Sequence, residues 1–147
     1  MFEFIDNLLA DNKPLEQTTA YIVMQQLNPN AYITLNGNEV TIVEDWVDSE
    51  EDGNIYRMGY FSTKDGRHAQ AYCLENPFAD MAPEGGFPYR KTHLAPSGNI
   101  CLGTKKHSGP LHQSGYTLYD TVKIARYWCT AFSVYIDTGK FPQPKDA

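Results

Sequence analysis

The chain has 147 residues, a formal net charge of −6 and an isoelectric point near 5.1, which fits one domain, 1–147, able to fold without disulfides or metals. The acidic balance, with twelve Lys and Arg scattered along the chain, lacks the basic face that phosphate-backbone binding needs, so no nucleic-acid partner is expected. No apolar run approaches the roughly 18 to 20 residues that span a bilayer, so no membrane partner is expected. The opening MFEFIDNLLADNK carries acids where a secretion signal carries bases, and a cytoplasmic protein is expected. Three cysteines, Cys73, Cys101 and Cys129, are an odd number without a secretion signal, which argues against a disulfide framework. Each is read as a free thiol.

In chain order, MFEFIDNLLA spaces Phe2, Ile5 and Leu9 on one helical face. Pro14 suits the first turn of a second helix in which Ala20, Val23, Met24 and Leu27 line up, and Asn28-Pro29-Asn30 should end it. The period then changes to two. AYITL and EVTIVEDW are joined through Asn36-Gly37, a strong hairpin signal, and NIYRMGYFST and RHAQAYCLE flank a second turn at Lys64-Asp65-Gly66. Four strands in an antiparallel meander are expected, and the acidic VDSEEDGN between the second and third is read as a solvent-facing loop.

From Asn76 to Gly115 the period disappears among prolines 77, 83, 88, 96 and 110. Aromatic and aliphatic residues threaded through this stretch (Phe78, Phe87, Tyr89, Leu94, Ile100, Leu102, Leu111) favour a packed functional flap over a linker. A long helix follows, with Thr117 and Asp120 at a capping-box-like start and Gly139 with Pro142 at its stop. Leu118, Val122, Ala125, Cys129, Phe132 and Ile136 form its buried stripe, widened by Tyr127, Trp128, Ala131 and Val134, so the helix should lie across the sheet. The fold class expected is α+β: N-terminal helices, a four-stranded antiparallel meander, a long flap and a long C-terminal helix.

The three thiols differ in setting. Cys129 lies on the helix stripe and Cys73 alternates with Ala69 and Ala71, so both read as core. Cys101 sits in KTHLAPSGNICLG. In an extended Ile100-Cys101-Leu102 the two aliphatic side chains point one way and the thiol the other, which holds a sulfur outward on a pinned loop, as nucleophilic chemistry requires. Metal binding is the competing reading, with His93, Cys101, His107 and His112 as ligands, but their spacing matches no usual zinc arrangement, and no metal or other cofactor is expected. A cysteine hydrolase is a further alternative, since a Cys near a His is the minimal nucleophile and base pair.

The segment PSGNICL, within this order of elements, resembles the ubiquitin-conjugating enzyme family, whose nucleophile lies in a segment reading much like Ser-Gly-x-Ile/Val-Cys-Leu. Phe87-Pro88 is similar to the family's Tyr-Pro before the flap. The family usually carries His-Pro-Asn beginning ten residues before the cysteine, where this chain has Lys91-Thr92-His93. His93 thus stands where the family has the asparagine thought to support the oxyanion. Its imidazole could donate a hydrogen bond there, act as general base toward an attacking amine, or merely tie the flap to backbone carbonyls. The tryptophan often found shortly after the family's cysteine is absent, and GTKKHSGPLHQSG fills that stretch. The chain looks like a stand-alone bacterial type, of the kind found beside cGAS-like nucleotidyltransferases in CBASS antiphage operons. That resemblance implies an acyltransferase in which Cys101 takes the C-terminus of a protein partner, a cGAS-like nucleotidyltransferase or a ubiquitin-like protein, as a thioester and passes it to an acceptor such as an amine. The alternative is a conjugating fold without catalysis that only binds such a tail.

Overall fold

The computed structural model describes residues 18–48, 53–76, 91–103, 105–106 and 109–142. Helix α1 (Thr19–Leu27) begins where the Thr18 side chain accepts the Tyr21 N–H at 3.0 Å, and ends at Asn28, whose N–H reaches the Met24 carbonyl at 2.7 Å. Four strands follow, β1 (Tyr32–Asn36), β2 (Glu39–Asp48), β3 (Asn54–Thr63) and β4 (Ala69–Glu75), paired antiparallel in sequence order. A short 3-10 turn, Leu111–Gln113, leads to helix α2 (Leu118–Thr138). Thr117 caps α2 by accepting the Asp120 N–H at 3.2 Å, and Gly139 ends it at φ +76°, the left-handed conformation that glycine adopts without strain. Among the described residues, no helix is long and apolar enough to cross a membrane.

Period-two alternation puts Val40 and Ile42 of β2, Tyr56, Met58 and Tyr60 of β3, and Ala69 and Ala71 of β4 on one face of the sheet, all fully buried. Against that face pack Leu118, Val122, Ala125, Cys129 and Phe132 of α2, with Ala20 and Met24 of α1 completing the core. Edge-on ring contacts of Tyr56 with Trp128 and Phe132, both 6.2 Å between centroids, lock helix to sheet.

One inward position of β2 is a carboxylate. The Glu44 side chain is fully buried, and Arg126 of α2 clasps it in a fork, Nη2 to Oε1 at 2.7 Å and Nε to Oε2 at 3.1 Å. The Tyr60 hydroxyl donates to Oε2 at 2.5 Å and Asn28 Nδ2 to Oε1 at 3.1 Å. Arg126 also donates to the Leu27 carbonyl at 3.3 Å, and its guanidinium lies 4.2 Å from the centre of the Trp46 ring. Burial alone would raise the Glu44 pKa, but the hydrogen bonds from Arg126, Tyr60 and Asn28 outweigh it and hold the carboxyl below its ordinary value.

The meander and the C-terminal helix follow the sequence expectation, with three corrections. The helix expected to include Pro14 opens instead at Thr19, because the Thr18 side chain supplies the cap. Strand β2 runs on to Asp48, which is not solvent-facing: inward alternation continues past Trp46, Asp48 is 1% exposed, and Thr130 Oγ1 donates to its Oδ1 at 2.9 Å. Tyr127 does not widen the buried face of α2 but is exposed on its outer side. The helix expected over MFEFIDNLLA, the acidic residues 50–52 and flap residues Phe78, Phe87 and Tyr89 lie outside the described residues.

Glu44→Gln should remove about 3–5 kcal/mol of stability in denaturant unfolding, because it leaves the Arg126 guanidinium in the core without its counter-charge. The folded pKa of Glu44 lies below the unfolded one, so its contribution is present above the ordinary carboxyl value of 4.5 and is lost as pH falls from there through the folded value. Unfolding free energy measured against pH should therefore fall more steeply in acid for the wild type than for Glu44→Gln.

Candidate active site

The described segment 91–103 turns back on itself as a miniature hairpin. Leu94 and Ile100 form an antiparallel bridge, and Ala95 to Gly98 make the turn, with the Gly98 N–H donating to the Ala95 carbonyl at 2.8 Å and the Ala95 N–H to the Asn99 carbonyl at 2.9 Å. Pro96 at the second turn position and Gly98 at the fourth are the residues such a turn favours. Gly98 is required twice over. Its φ is +93°, and a Cβ there would sit 3.1 Å from the Cys73 carbonyl oxygen.

That close approach exists because the hairpin docks along the free edge of β4. The Cys73 N–H donates to the Gly98 carbonyl and the Ile100 N–H to the Ala71 carbonyl, both at 2.9 Å, while Asn99 bridges to Tyr72. Leu94, Ile100 and Leu102 are buried, at 8%, 0% and 6% exposure, and Cys101 between the last two is partly exposed. The burial pattern of Ile100-Cys101-Leu102, buried, partly exposed, buried, is the one alternation predicts.

Cys101 donates its N–H to the His93 carbonyl at 2.9 Å, so the two residues stand side by side at the open end of the hairpin. His93 is the one non-glycine residue with positive φ among the described residues, at +55°, a conformation that His, Asn and Asp tolerate better than most. The preceding Thr92 is buried, and its carbonyl accepts the Trp128 Nε1–H of α2 at 2.7 Å. The His93 ring lies against Phe141, 5.0 Å between centroids and tilted by 44°.

Downstream of the thiol, Tyr116 holds the loop. Its hydroxyl accepts the Lys105 N–H at 3.0 Å and lies where a Cβ on Gly103 would come within 2.8 Å. The Gly115 N–H donates to the Lys106 carbonyl at 2.7 Å, and the Tyr116 carbonyl accepts the Ala69 N–H at 2.9 Å, which ties this strap to the start of β4. Cys101 is therefore flanked by two backbone segments that are both fastened to one strand.

The other thiols are in different surroundings. Cys129 is fully buried against Met58, with sulfur to sulfur at 3.6 Å, and burial pushes its pKa well up. Cys73 is on the inner face of β4 as expected but at the rim of the core, where burial pushes its thiol up to about 11. Of the four residues weighed as metal ligands, His93 and Cys101 are joined through their backbones, His112 is exposed on the 3-10 turn, and His107 lies outside the described residues. Among the described residues, no three His, Cys, Asp or Glu side chains converge as a metal site would require.

Sequence reasoning did not find Trp128, Tyr116 or Phe141 as neighbours of this loop. Each is far from Cys101 in sequence, and only the tertiary fold brings them together. Ser97-Gly98 is a dipeptide that marks turns, but the second constraint on Gly98 comes from β4. Compared with known protein families, curated proteins and solved structures, the chain has no match.

Under native conditions iodoacetamide should alkylate Cys101 first, Cys73 more slowly and Cys129 only on unfolding, because a raised thiol pKa and lack of access both suppress the thiolate that reacts. Peptide mass spectrometry over a time course measures the order.

Proposed function

We propose that this protein is an acyltransferase of the ubiquitin-conjugating type, with Cys101 as the nucleophile. The observation that carries the reading is Cys101, a partly exposed residue held between buried Ile100 and Leu102 on a hairpin fastened to the edge of β4. The order helix, four-strand antiparallel meander, cysteine loop and long helix supports the same assignment, as does the likeness of PSGNICL to the family's nucleophile segment.

In the proposed reaction the Cys101 thiolate attacks the carbonyl of an activated C-terminus, presented as an acyl adenylate or a thioester on a separate activating protein. The S–C bond forms, the adenylate or thiolate departs, and Cys101 carries the partner as a thioester. An acceptor amine then attacks the same carbonyl, the C–S bond breaks, the thiolate is regenerated and the amine gives up a proton. Charge accumulates on the carbonyl oxygen in both steps, and His93, beside Cys101, supplies a hydrogen-bond donor to it. The donor proposed is a protein C-terminus, that of a cGAS-like nucleotidyltransferase or a ubiquitin-like protein, in antiviral signalling.

Trapping tests the nucleophile. Cys101→Ser co-expressed with the neighbouring genes of its operon should convert the thioester into an ester visible as a shifted band that survives thiol reductant. Absence of any adduct on both wild type and Cys101→Ser by intact mass spectrometry would remove the acyltransferase reading and leave a tail-binding module.

For His93 the reading is single-turnover discharge of purified thioester. His93→Gly keeps the left-handed backbone while deleting the ring, and should slow discharge by roughly 10²-fold, the scale of one lost oxyanion donor. His93→Asn should restore much of the rate if donation is the role. If His93 is instead a general base, Asn should not rescue the rate.

A further inference from the structure

We propose that Phe141 is a positioning residue for His93, so that the turn following α2 forms part of the reaction site; this rests on the reading of Cys101 and His93 given above. The helix ends at Gly139, whose N–H meets the Tyr135 carbonyl at 2.6 Å while its φ of +76° turns the chain back. Thr138 fastens that turn: its hydroxyl contacts the Val134 carbonyl at 2.8 Å and accepts the Lys140 N–H at 3.2 Å. The reversal delivers Phe141 to the rim of the core and onto the His93 ring at 5.0 Å.

The His93 imidazole stands on a left-handed backbone at the open end of the hairpin, where it retains rotamer freedom unless a neighbour packs on it. A phenyl ring 5.0 Å away and tilted by 44° restricts that freedom, while the nitrogens, which lie in the ring plane, are the groups that hydrogen-bond. An oxyanion donor works when it is held in place before charge develops. The contact from Phe141 provides that restraint, and the Trp128 hydrogen bond to the Thr92 carbonyl fixes the preceding residue from the same helix. Helix α2 thus holds Thr92 from its middle and His93 from its end.

The test combines thioester discharge with a direct view of the ring. Phe141→Ala should slow discharge from the purified Cys101 thioester by roughly 10-fold to 10²-fold, the scale of a misplaced reacting group. Phe141→Tyr, which keeps the aromatic face, should retain the rate. Phe141→Leu, which keeps apolar packing without the face, should behave like Ala, and it carries the test if Ala impairs folding. A His93→Gly/Phe141→Ala double variant should be no slower than His93→Gly, because the two changes remove one function.

In carbon–proton NMR spectra, the His93 imidazole signals, assigned by their loss in His93→Gly, should move when the Phe141 ring current is removed. Multiplying effects in the double variant, wild-type discharge by both Phe141→Ala and Phe141→Leu, or unmoved imidazole signals would each overturn the proposal. Failure of the underlying reading looks different. His93→Gly would then discharge at the wild-type rate, and a shift of the imidazole signals in Phe141→Ala would show the ring contact to be real but without a part in the reaction, which also overturns the positioning role.

Discussion

The buried pair of Glu44 and Arg126 is the constraint on which the arrangement of helix on sheet depends. A carboxylate taken out of water is tolerable only when its oxygens are saturated by donors, and here Arg126, Tyr60 and Asn28 supply four hydrogen bonds between them. The donors come from α2, β3 and the end of α1, so the pair ties three elements to β2. Apolar packing alone allows a helix to slide or roll by small increments with little penalty. A two-point guanidinium fork does not, since a shift of one residue moves the helix about 1.5 Å along its axis and turns Arg126 through about 100°. The register of α2 on the sheet is therefore set at Arg126, and everything that α2 touches further along inherits it.

What it inherits is the cysteine loop. Trp128 lies on the same helix just beyond Arg126, and its indole N–H meets the Thr92 carbonyl; at the helix end Gly139 turns Phe141 toward His93. On the other side the loop is fastened to β4 through Ala71 and Cys73. Those bonds serve the sheet as well as the loop. The outer edge of β4 would otherwise present open N–H and C=O groups, a template for pairing with another chain, and the Leu94–Ile100 hairpin covers that edge. The segment that presents Cys101 is thus held as firmly as a strand while remaining a loop at the thiol itself.

Periodicity made the sheet and the long helix legible. The span of β3 matches NIYRMGYFST, and α2 begins and ends where Thr117 and Gly139 cap it, because caps and alternation are local physics. Boundaries were less legible where tertiary contacts decide them, as at Asp48, whose burial depends on a hydroxyl from α2. Of the candidate site, the partly exposed cysteine between two buried aliphatics could be read from three consecutive residues. The clasp around it could not, since Trp128, Tyr116 and Phe141 meet the loop only through the packing of α2 and the strap onto β4. Glu44 was hidden for the same reason: in a strand pattern it reads as one more residue of an alternating run, and its partner lies on a different element.

The backbone at position 93 gives a physical account of why a histidine can occupy it. At φ +55° a Cβ crowds the neighbouring carbonyl, and most residue types are strained by roughly 1–2 kcal/mol. Asparagine and histidine are among the few side chains enriched in that conformation, so His93 stands at a backbone position that few other residue types tolerate as well. The two then diverge in what they can do. An amide has two fixed N–H donors and a carbonyl, and it packs poorly on an apolar ring. An imidazole has a flat face suited to an aromatic neighbour, and Phe141 supplies one. The left-handed backbone and the aromatic at the end of α2 therefore bear on the same side chain: the first restricts which residue types can stand at 93, and the second gives the His93 ring an apolar neighbour.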